Sequence, residues 1–486
     1  MPLTLPFEIV PMSKLAEVEL IKGLGPLDAT MLIMGSMIGS GIFIVSADIA
    51  KSVQSPGLLL FIWAICGLMT IMGALNYGEL AAAMPQAGGQ YVFLKEAYGP
   101  IWGFLYGWTL FLVIQTGTIA AVAVGFARYL DVFVPLSRVL FQTELFGRSF
   151  AIDLRQVVGV GVILVLSYLN CFGIRIGAQV QNLFTFLKVL ALLILIVVGL
   201  AFAGGSYSHF FPLLPTYESL RAVIEHFQQT SSPLLDTHSL ALNLGLLLGV
   251  AMIGALFSLD AWNNVTFAAG EVKEPHKTLP LSLFLGTFLV SLIFLLTNVA
   301  YLHVLPVEQI AGTDRIAATV ARTIVGPIGN GLVSFAILVS TFGCLNGLIL
   351  SGPRVYYAMA KDQLFFSAVA EIHPQYHTPV KSLWAQAVWA SLLTLSGTYG
   401  QLLTYVISAA LLFYALTGYA VIVLRRSRPE LRRPYRTFGY PYLTVMYVMM
   451  AAVVLACNLI GDPKNSWPGF VIIGLGLPAY IYWKKR

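Results

Sequence analysis

Charged residues are scarce in this 486-residue chain, where Asp, Glu, Lys and Arg together make up 10% of the sequence. Soluble globular proteins average about 25% charged residues, so this composition argues against a soluble fold. The hydrophobic share is 58% and the mean hydropathy is +0.82. Apolar runs of roughly 20 residues recur along the chain, the length that crosses about 30 Å of hydrocarbon as a helix. The sequence therefore predicts an all-α membrane protein.

The sequence also lacks the motifs of enzymes and of ATP-driven pumps. It contains no Walker A loop, HExxH pair, GxSxG elbow or paired-cysteine metal motif. Its seven histidines are scattered, and its four cysteines fall in or at the end of apolar runs, at Cys66, Cys171, Cys344 and Cys457. We therefore expect no enzymatic activity, no cofactor, no metal and no disulfide. Secondary transport or channel activity remains.

Hydropathy predicts twelve membrane spans. They cover approximately residues 28–52, 57–83, 101–130, 152–173, 179–204, 240–269, 279–304, 325–351, 382–399, 401–424, 440–461 and 467–483. The first 26 residues mix acidic and basic side chains and lack an apolar core, so they are not expected to be a signal peptide.

The distribution of positive charge predicts the orientation of these spans. Of the 28 Lys and Arg residues, 18 fall on the side that carries both termini. Because Lys and Arg accumulate in cytoplasmic loops, we expect a protein of the cell (inner) membrane with both termini in the cytoplasm. The richest segment is RRSRPELRRPYR, residues 425–436. Its arginines suit a nucleic-acid site, an anionic-lipid site or an orientation signal at the headgroups; we favour the last and expect no nucleic-acid partner.

Span 1 concentrates weak helix formers in the segment GSMIGSGIF, residues 35–43. Gly35 and Gly39 form a GxxxG pair, which is by itself typical of close helix packing. The alternative is a helix broken at Gly39–Gly41, because glycine tolerates unusual backbone angles. Such a break leaves N–H groups that attract a carboxylate and C=O groups that attract an ammonium. A zwitterion such as an α-amino acid offers both.

Span 6 contains a second candidate break, in FSLDAWNN. Matching broken helices five spans apart are typical of transporters built from inverted repeats, here spans 1–5 and spans 6–10. Asp260 lies in this segment, and three roles remain open for it: substrate binding, proton carriage, or capping of the helix that resumes after the break.

Two further ionisable residues lie within spans. Lys188 is about ten residues into span 5, or about 15 Å deep, where a lysine costs roughly 2.5–3.5 kcal/mol to insert. It should therefore face a partner or a wet cavity, in a functional role, a structural role or both. Glu79 is nearer the cytoplasmic end of span 2 and is expected to make a structural salt bridge or a backbone contact.

Several segments together resemble the amino acid–polyamine–organocation superfamily, and within it bacterial relatives of the L-type amino acid transporters. GSMIGSGIF is similar to that family's span 1 signature, and the stretch from Ser55 to Pro100 to its span 2 and the following loop. LFSLDAWNNVTFAAGEVKEP resembles its span 6, STFGCLNG its span 8, and RRSRPELRRPYRTFGYP the loop before span 11. The resemblance covers nearly the whole chain.

The resemblance implies a leucine-transporter-type 5+5 inverted-repeat fold with broken helices 1 and 6, working by alternating access. It implies that the substrate carboxylate binds the backbone of the Gly39–Gly41 break around Ser40 and Gly41. The amine would bind carbonyls near four residues, Met37, Ile38, Phe257 and Ser258. Phe257 matches the aromatic position that gates bound substrate.

Lys188 matches a lysine that, in sodium-independent members, occupies the region where related transporters bind sodium. Two features depart from the best-known L-type members. Those members carry glycine at the position of Asp260, and the animal members use a cysteine after span 3 to join a glycoprotein. Residues 131–151 contain no cysteine, so no disulfide-linked glycoprotein subunit is expected.

These observations predict a sodium-independent secondary transporter of neutral L-amino acids, working by exchange or proton coupling. The alternatives are a cationic amino acid or polyamine antiporter that uses Asp260, and an amino acid sensor that does not transport. The predicted organisation is a cytoplasmic segment 1–26, a first repeat 27–204, an extracellular loop 205–239, a second repeat 240–424, a basic cytoplasmic loop 425–439, and spans 11 and 12 with a short tail, 440–486.

Overall fold

The computed structural model describes residues 19–145, 148–230, 240–396 and 399–484, and they are largely helical. Residues 1–18 of the predicted segment 1–26 therefore lie outside the described residues. Within the described residues, eight helices are long and apolar enough to cross a membrane: Pro56–Ala83, Pro100–Leu130, Leu154–Cys171, Ile174–Leu200, Pro275–Val304, Ile328–Lys361, Val406–Ser427 and Tyr442–Gly461. The protein is thus a multi-pass helical membrane protein.

The predicted span 1 is interrupted in the middle. An α-helix covers Pro26–Met37, a single 3-10 turn covers Gly41–Phe43, and a second α-helix covers Val45–Val53. The first helix begins with proline, whose fixed φ suits this position. The interruption contains Gly39 and Gly41, where the cost of glycine in a helix favours an irregular backbone.

The predicted span 6 is interrupted as well. Its first helix covers Leu240–Ser258, and after four non-helical residues and Asn263 the chain forms a short helix at Asn264–Phe267 and a 3-10 turn at Ala269–Glu271. Ala261 has φ +66°, in the left-handed region that a side chain with a Cβ rarely adopts. The chain therefore leaves the helical conformation at the FSLDAWNN segment.

The other spans lie close to their predicted bounds. Span 9 is the helix Val380–Leu395, span 10 the helix Tyr399–Ser427 and span 12 the helix Pro463–Lys484. Span 3 contains one π-helical turn, at Leu110–Ile114. In span 8 a helix over Ile328–Ser351 continues as a second helix over Pro353–Lys361.

The connections contain structure that hydropathy did not predict. Residues 205–239 were expected to be a loop, but a helix covers Tyr217–Thr230, since its apolar side chains recur at helical spacing. Two antiparallel strands, Val139–Leu145 and Arg148–Asp153, connect spans 3 and 4. Further short helices lie at Gln90–Tyr98, Tyr207–Phe210, Val307–Ala311, Ile316–Val325 and Ser367–Ala370.

The first half of span 1 packs against spans 5, 7 and 8. Small residues make this approach possible: a Cβ on Gly35 would overlap the side chains of Gln181 and Thr185. Thr185 donates a hydrogen bond of 3.2 Å to the carbonyl of Met31, and Asn182 donates one of 2.7 Å to Asp28. The broken helix is therefore held on its span 5 side by polar contacts along one face.

Glu79 makes the structural salt bridge expected of it. Its carboxylate accepts two hydrogen bonds from Arg425, of 2.8 and 2.7 Å, and one from the backbone N–H of Thr437, of 2.7 Å. Arg433 lies 3.6 Å from the same carboxylate. The carboxylate of span 2 thus fixes the basic loop that follows span 10.

Candidate functional site

The break in span 1 leaves three consecutive amides without acceptors. The N–H groups of Ser40, Gly41 and Ile42 donate no hydrogen bond to any residue that the structure describes, whereas Phe43 and Ile44 donate to the carbonyls of Ser40 and Gly41. Buried amides are almost always paired. Ser40 is only 7% exposed, so these donors are suited to an anionic group of a bound ligand.

The carbonyl groups on the other side of the break are held by Lys188. Its ammonium donates hydrogen bonds to the carbonyls of Gly35 at 2.6 Å, Ile38 at 2.8 Å and Ser340 at 3.1 Å. The lysine is fully buried. Because burial of an unpaired ammonium is costly, three carbonyl acceptors are the expected compensation. Lys188 therefore joins span 5 to the unwound part of span 1 and to span 8.

Span 8 supports the same segment through two side chains. The hydroxyl of Ser340 lies 3.1 Å from the carbonyl of Ile38 and 2.9 Å from that of Gly39. The thiol of Cys344 donates to the carbonyl of Ser36 at 3.0 Å. A hydroxyl has one proton, so Ser340 donates to the carbonyl of either Ile38 or Gly39, while Lys188 donates to that of Ile38. The predicted residue Ile38 therefore lies with its carbonyl beside the Lys188 ammonium.

The two breaks meet directly. A Cβ on Gly41 would overlap the side chain of Ser258, so only glycine allows the backbones to come this close. Ser258 donates its hydroxyl to the carbonyl of Gly254 at 2.9 Å and is 4% exposed. Phe257, beside it, is partly buried. The structure therefore brings Gly41 of span 1 against Ser258 of span 6. Ser40 and Phe257 are their chain neighbours, Gly39 faces Cys344 of span 8, and Met37 ends the first helix of span 1.

Asp260 faces span 10. Its carboxylate accepts a hydrogen bond of 2.5 Å from the hydroxyl of Tyr414, which also lies 3.5 Å from the amide oxygen of Asn263. The capping role considered for Asp260 is wrong, because the resumed helix has Asn263 at its N-cap and no side-chain cap. The carboxylate instead accepts the hydrogen bond from Tyr414, which is 154 residues away in sequence.

A polar chain continues from Asp260 towards the short helix Gln90–Tyr98. The amide of Asn263 donates to Gln90 at 2.8 Å, and Gln90 donates to the hydroxyl of Thr417 at 3.1 Å. Gln90, Asn263 and Asp260 border a cavity of about 10 Å³, which is room for one water molecule. Asp260 therefore lies at one end of a buried hydrogen-bonded network, and only 9% of it is exposed.

A buried ion pair lies beside the start of span 1, and hydropathy alone did not reveal it. Arg354 donates to both carboxylate oxygens of Glu271, at 2.6 and 3.0 Å, and both side chains are almost fully buried. The backbone carbonyl of Glu271 accepts from Gly23 and Leu24, just before span 1. In the sequence, each of these two ionisable residues stands at the end of an apolar run, which marks it as a candidate. Because 83 residues separate them, the sequence does not indicate that they pair.

This geometry agrees with the comparison of the sequence with known families. The family described as "Amino acid permease" matches residues 24–477. The chain belongs to this family. The superfamily resemblance found in the sequence motifs is thereby confirmed.

Three characterised relatives show how broad the family is. The chain is 31% identical to the serine/threonine exchanger SteT of Bacillus subtilis (strain 168), over 96% of this chain and 97% of that protein. It is 29% identical to the large neutral amino acids transporter small subunit 2 of Homo sapiens, over 96% and 82%. It is 28% identical to the cystine/glutamate transporter of Homo sapiens, over 97% and 87%. Family membership therefore identifies a membrane transporter of amino acids.

Proposed function

We propose that this protein is a sodium-independent exchanger of neutral L-amino acids that works by alternating access. Amino acid transport by antiport is the function that its relatives support. The observation that carries the proposal is the pair of facing breaks, in which free amides of span 1 lie against Ser258 of span 6.

The substrate carboxylate would bind the amides of Ser40 and Gly41. Its ammonium would bind carbonyls near Met37, Ile38, Phe257 and Ser258. The Met37 and Phe257 carbonyls each accept one backbone N–H and keep a second lone pair. The Ile38 carbonyl accepts from Lys188. Fixed amides favour a carboxylate over water because they need no reorientation when it arrives. The small side chain of Ser258 and the gating aromatic ring of Phe257 favour small to medium substrates.

Lys188 would take the place of a sodium ion. Carbonyl oxygens are the ligands that hard cations prefer, and here a covalently attached ammonium satisfies three of them. The cation is then part of the chain itself, so substrate binding does not wait for an ion. This is the basis for proposing sodium independence.

The architecture we propose has twelve spans, with spans 1–5 and 6–10 as inverted repeats and both termini in the cytoplasm. The corresponding breaks at Gly39–Gly41 and at FSLDAWNN support the repeats. We also propose that no disulfide-linked glycoprotein subunit is attached, because the connection between spans 3 and 4 has no cysteine.

Purified protein in liposomes tests the function. Labelled serine, alanine, leucine and arginine would each be assayed with and without internal amino acid, with and without sodium, and with and without a pH gradient. Uptake of the neutral substrates that needs internal amino acid and ignores sodium is expected. Uptake into empty liposomes driven by an inward proton gradient would indicate proton coupling and contradict exchange. Binding without uptake would indicate a sensor and contradict transport.

A cationic amino acid or polyamine is the second candidate substrate. Asp260 favours it, because a carboxylate beside the candidate site attracts a second amine. Competition of arginine with labelled serine, in the wild type and in Asp260→Gly, separates the two candidates. If Asp260→Gly leaves the substrate profile unchanged, Asp260 does not recognise a second amine.

A further inference from the structure

The basic loop, residues 425–439, uses half of its arginines in contacts with other residues of the protein. Arg425 pairs with Glu79 through two hydrogen bonds, and Arg428 pairs with Glu96 at 2.5 Å. Arg433 donates to backbone carbonyls of the loop and of the end of span 10, at 2.8 to 3.4 Å. These contacts hold the loop in one conformation against the first half of the chain.

The other three arginines point away from these contacts. Arg426, Arg432 and Arg436 are exposed, and none of them forms a hydrogen bond or an ion pair with a residue in the described ranges. An orientation signal needs only positive charge during insertion. It does not require three free guanidinium groups on a loop whose backbone is held in place.

Two exposed aromatic side chains, Phe438 and Tyr442, follow the free arginines in the chain. Tyr442 is 83% exposed and Phe438 77% exposed, more than any other large hydrophobic side chain among the described residues. Tyr442 is the first residue of span 11, so both lie where the chain enters the membrane. Aromatic rings at that level typically lie among the lipid headgroups. The exposed rings therefore locate the loop at the membrane surface.

We propose that Arg426, Arg432 and Arg436 form a binding site for the phosphate of an anionic phospholipid in the cytoplasmic leaflet, with Phe438 and Tyr442 at the level of the headgroups. Guanidinium groups bind phosphate oxygens through paired hydrogen bonds. The negative surface of the cytoplasmic leaflet attracts juxtamembrane arginines. The two exposed rings favour a lipid over a nucleic acid, because they lie at the level of the bilayer.

Native mass spectrometry of the purified, delipidated full-length protein tests the site. The protein would be titrated with phosphatidylglycerol and, separately, with phosphatidylcholine. Wild-type protein is expected to retain phosphatidylglycerol preferentially. The variant Arg426→Gln/Arg432→Gln/Arg436→Gln is expected to bind it at least tenfold more weakly, since each charge near an anionic surface contributes about fivefold.

The matched control removes the same charge elsewhere on the side predicted to be cytoplasmic, in Lys22→Gln/Arg175→Gln/Lys277→Gln. All three control residues are exposed. This control should retain phosphatidylglycerol as the wild type does. Equal binding by the wild type and the arginine variant would overturn the proposal, as would an equal loss in the control, which would indicate a general effect of charge.

Two further measurements keep the test independent of folding. Phe438→Ala/Tyr442→Ala leaves every arginine in place and is expected to weaken retention severalfold; unchanged retention would overturn the role of the rings. Inorganic phosphate at millimolar concentration should leave the lipid bound, and its displacement would show a site for free anions in place of a lipid site. Because binding is measured without transport, the outcome is independent of the proposed exchange.

Discussion

The ammonium of Lys188 lies 2.6 Å from the backbone carbonyl of Gly35, across the interface between span 5 and the first half of span 1. A charged side chain at this depth thereby replaces hydrogen bonds that a regular helix would make. The broken helix keeps its geometry because the charge is built into the neighbouring span.

Replacing Lys188 by alanine should lower amino acid exchange by at least tenfold. The carbonyls of Gly35 and Ile38 would lose the ammonium that donates to them, and the free amides at Ser40 and Gly41 would lose their orientation. Exchange in proteoliposomes, normalised to the amount of folded protein, measures the effect. Lys277→Ala, which removes a lysine that is 85% exposed, is the matched control and should exchange at the wild-type rate. Wild-type exchange by Lys188→Ala would leave the lysine without a role in transport.

Replacing Gly41 by alanine should abolish exchange, because the added methyl group would overlap Ser258 and force the two breaks apart. The comparison is Gly161→Ala in span 4, where a Cβ meets no atom within 4 Å. That control should keep its activity and gain about 0.5–1 kcal/mol of helix stability. Substrate-induced thermal stabilisation, measured for both variants, should disappear only for Gly41→Ala.

Asp260 and Tyr414 should be energetically coupled. Asp260→Asn, Tyr414→Phe and the double variant form a cycle in which the coupling free energy for serine binding is expected at about 0.5–3 kcal/mol. Tyr414→Phe leaves the buried carboxylate without its donor, so arginine should compete better with serine in that variant. The measurement is competition binding to purified protein. Additive single effects would mean that the 2.5 Å contact has no energetic role.

Arg354→Ala should destabilise the protein by about 3–5 kcal/mol, because it leaves Glu271 charged and unpaired in a buried position. Arg354→Lys keeps the charge and loses one of the two hydrogen bonds, so an intermediate effect is expected. The midpoint of thermal unfolding in detergent measures both. Lys277→Ala breaks an exposed pair with Glu274 and should not shift the midpoint. An unshifted midpoint in Arg354→Ala would show that Glu271 finds another partner.

The sequence already contained the membrane class and most of the span positions. A span needs only about 20 consecutive apolar residues, which is a local property of composition. The break in span 1 was equally local, because glycines at Gly39 and Gly41 weaken the helix wherever it lies. Lys188 and Asp260 also stood out by themselves, since ionisable residues inside apolar runs are costly. The motifs of spans 1, 2, 6 and 8 also indicated the family.

Only the tertiary structure decided which groups these residues meet. Lys188 is about 150 residues from the carbonyls it holds, and Tyr414 is 154 residues from Asp260. Glu271 and Arg354 likewise become partners only when spans 6 and 8 pack together. Local patterns report the cost of placing a charge in an apolar environment. Which distant donor or acceptor offsets that cost depends on how the helices pack, and no local pattern contains that information.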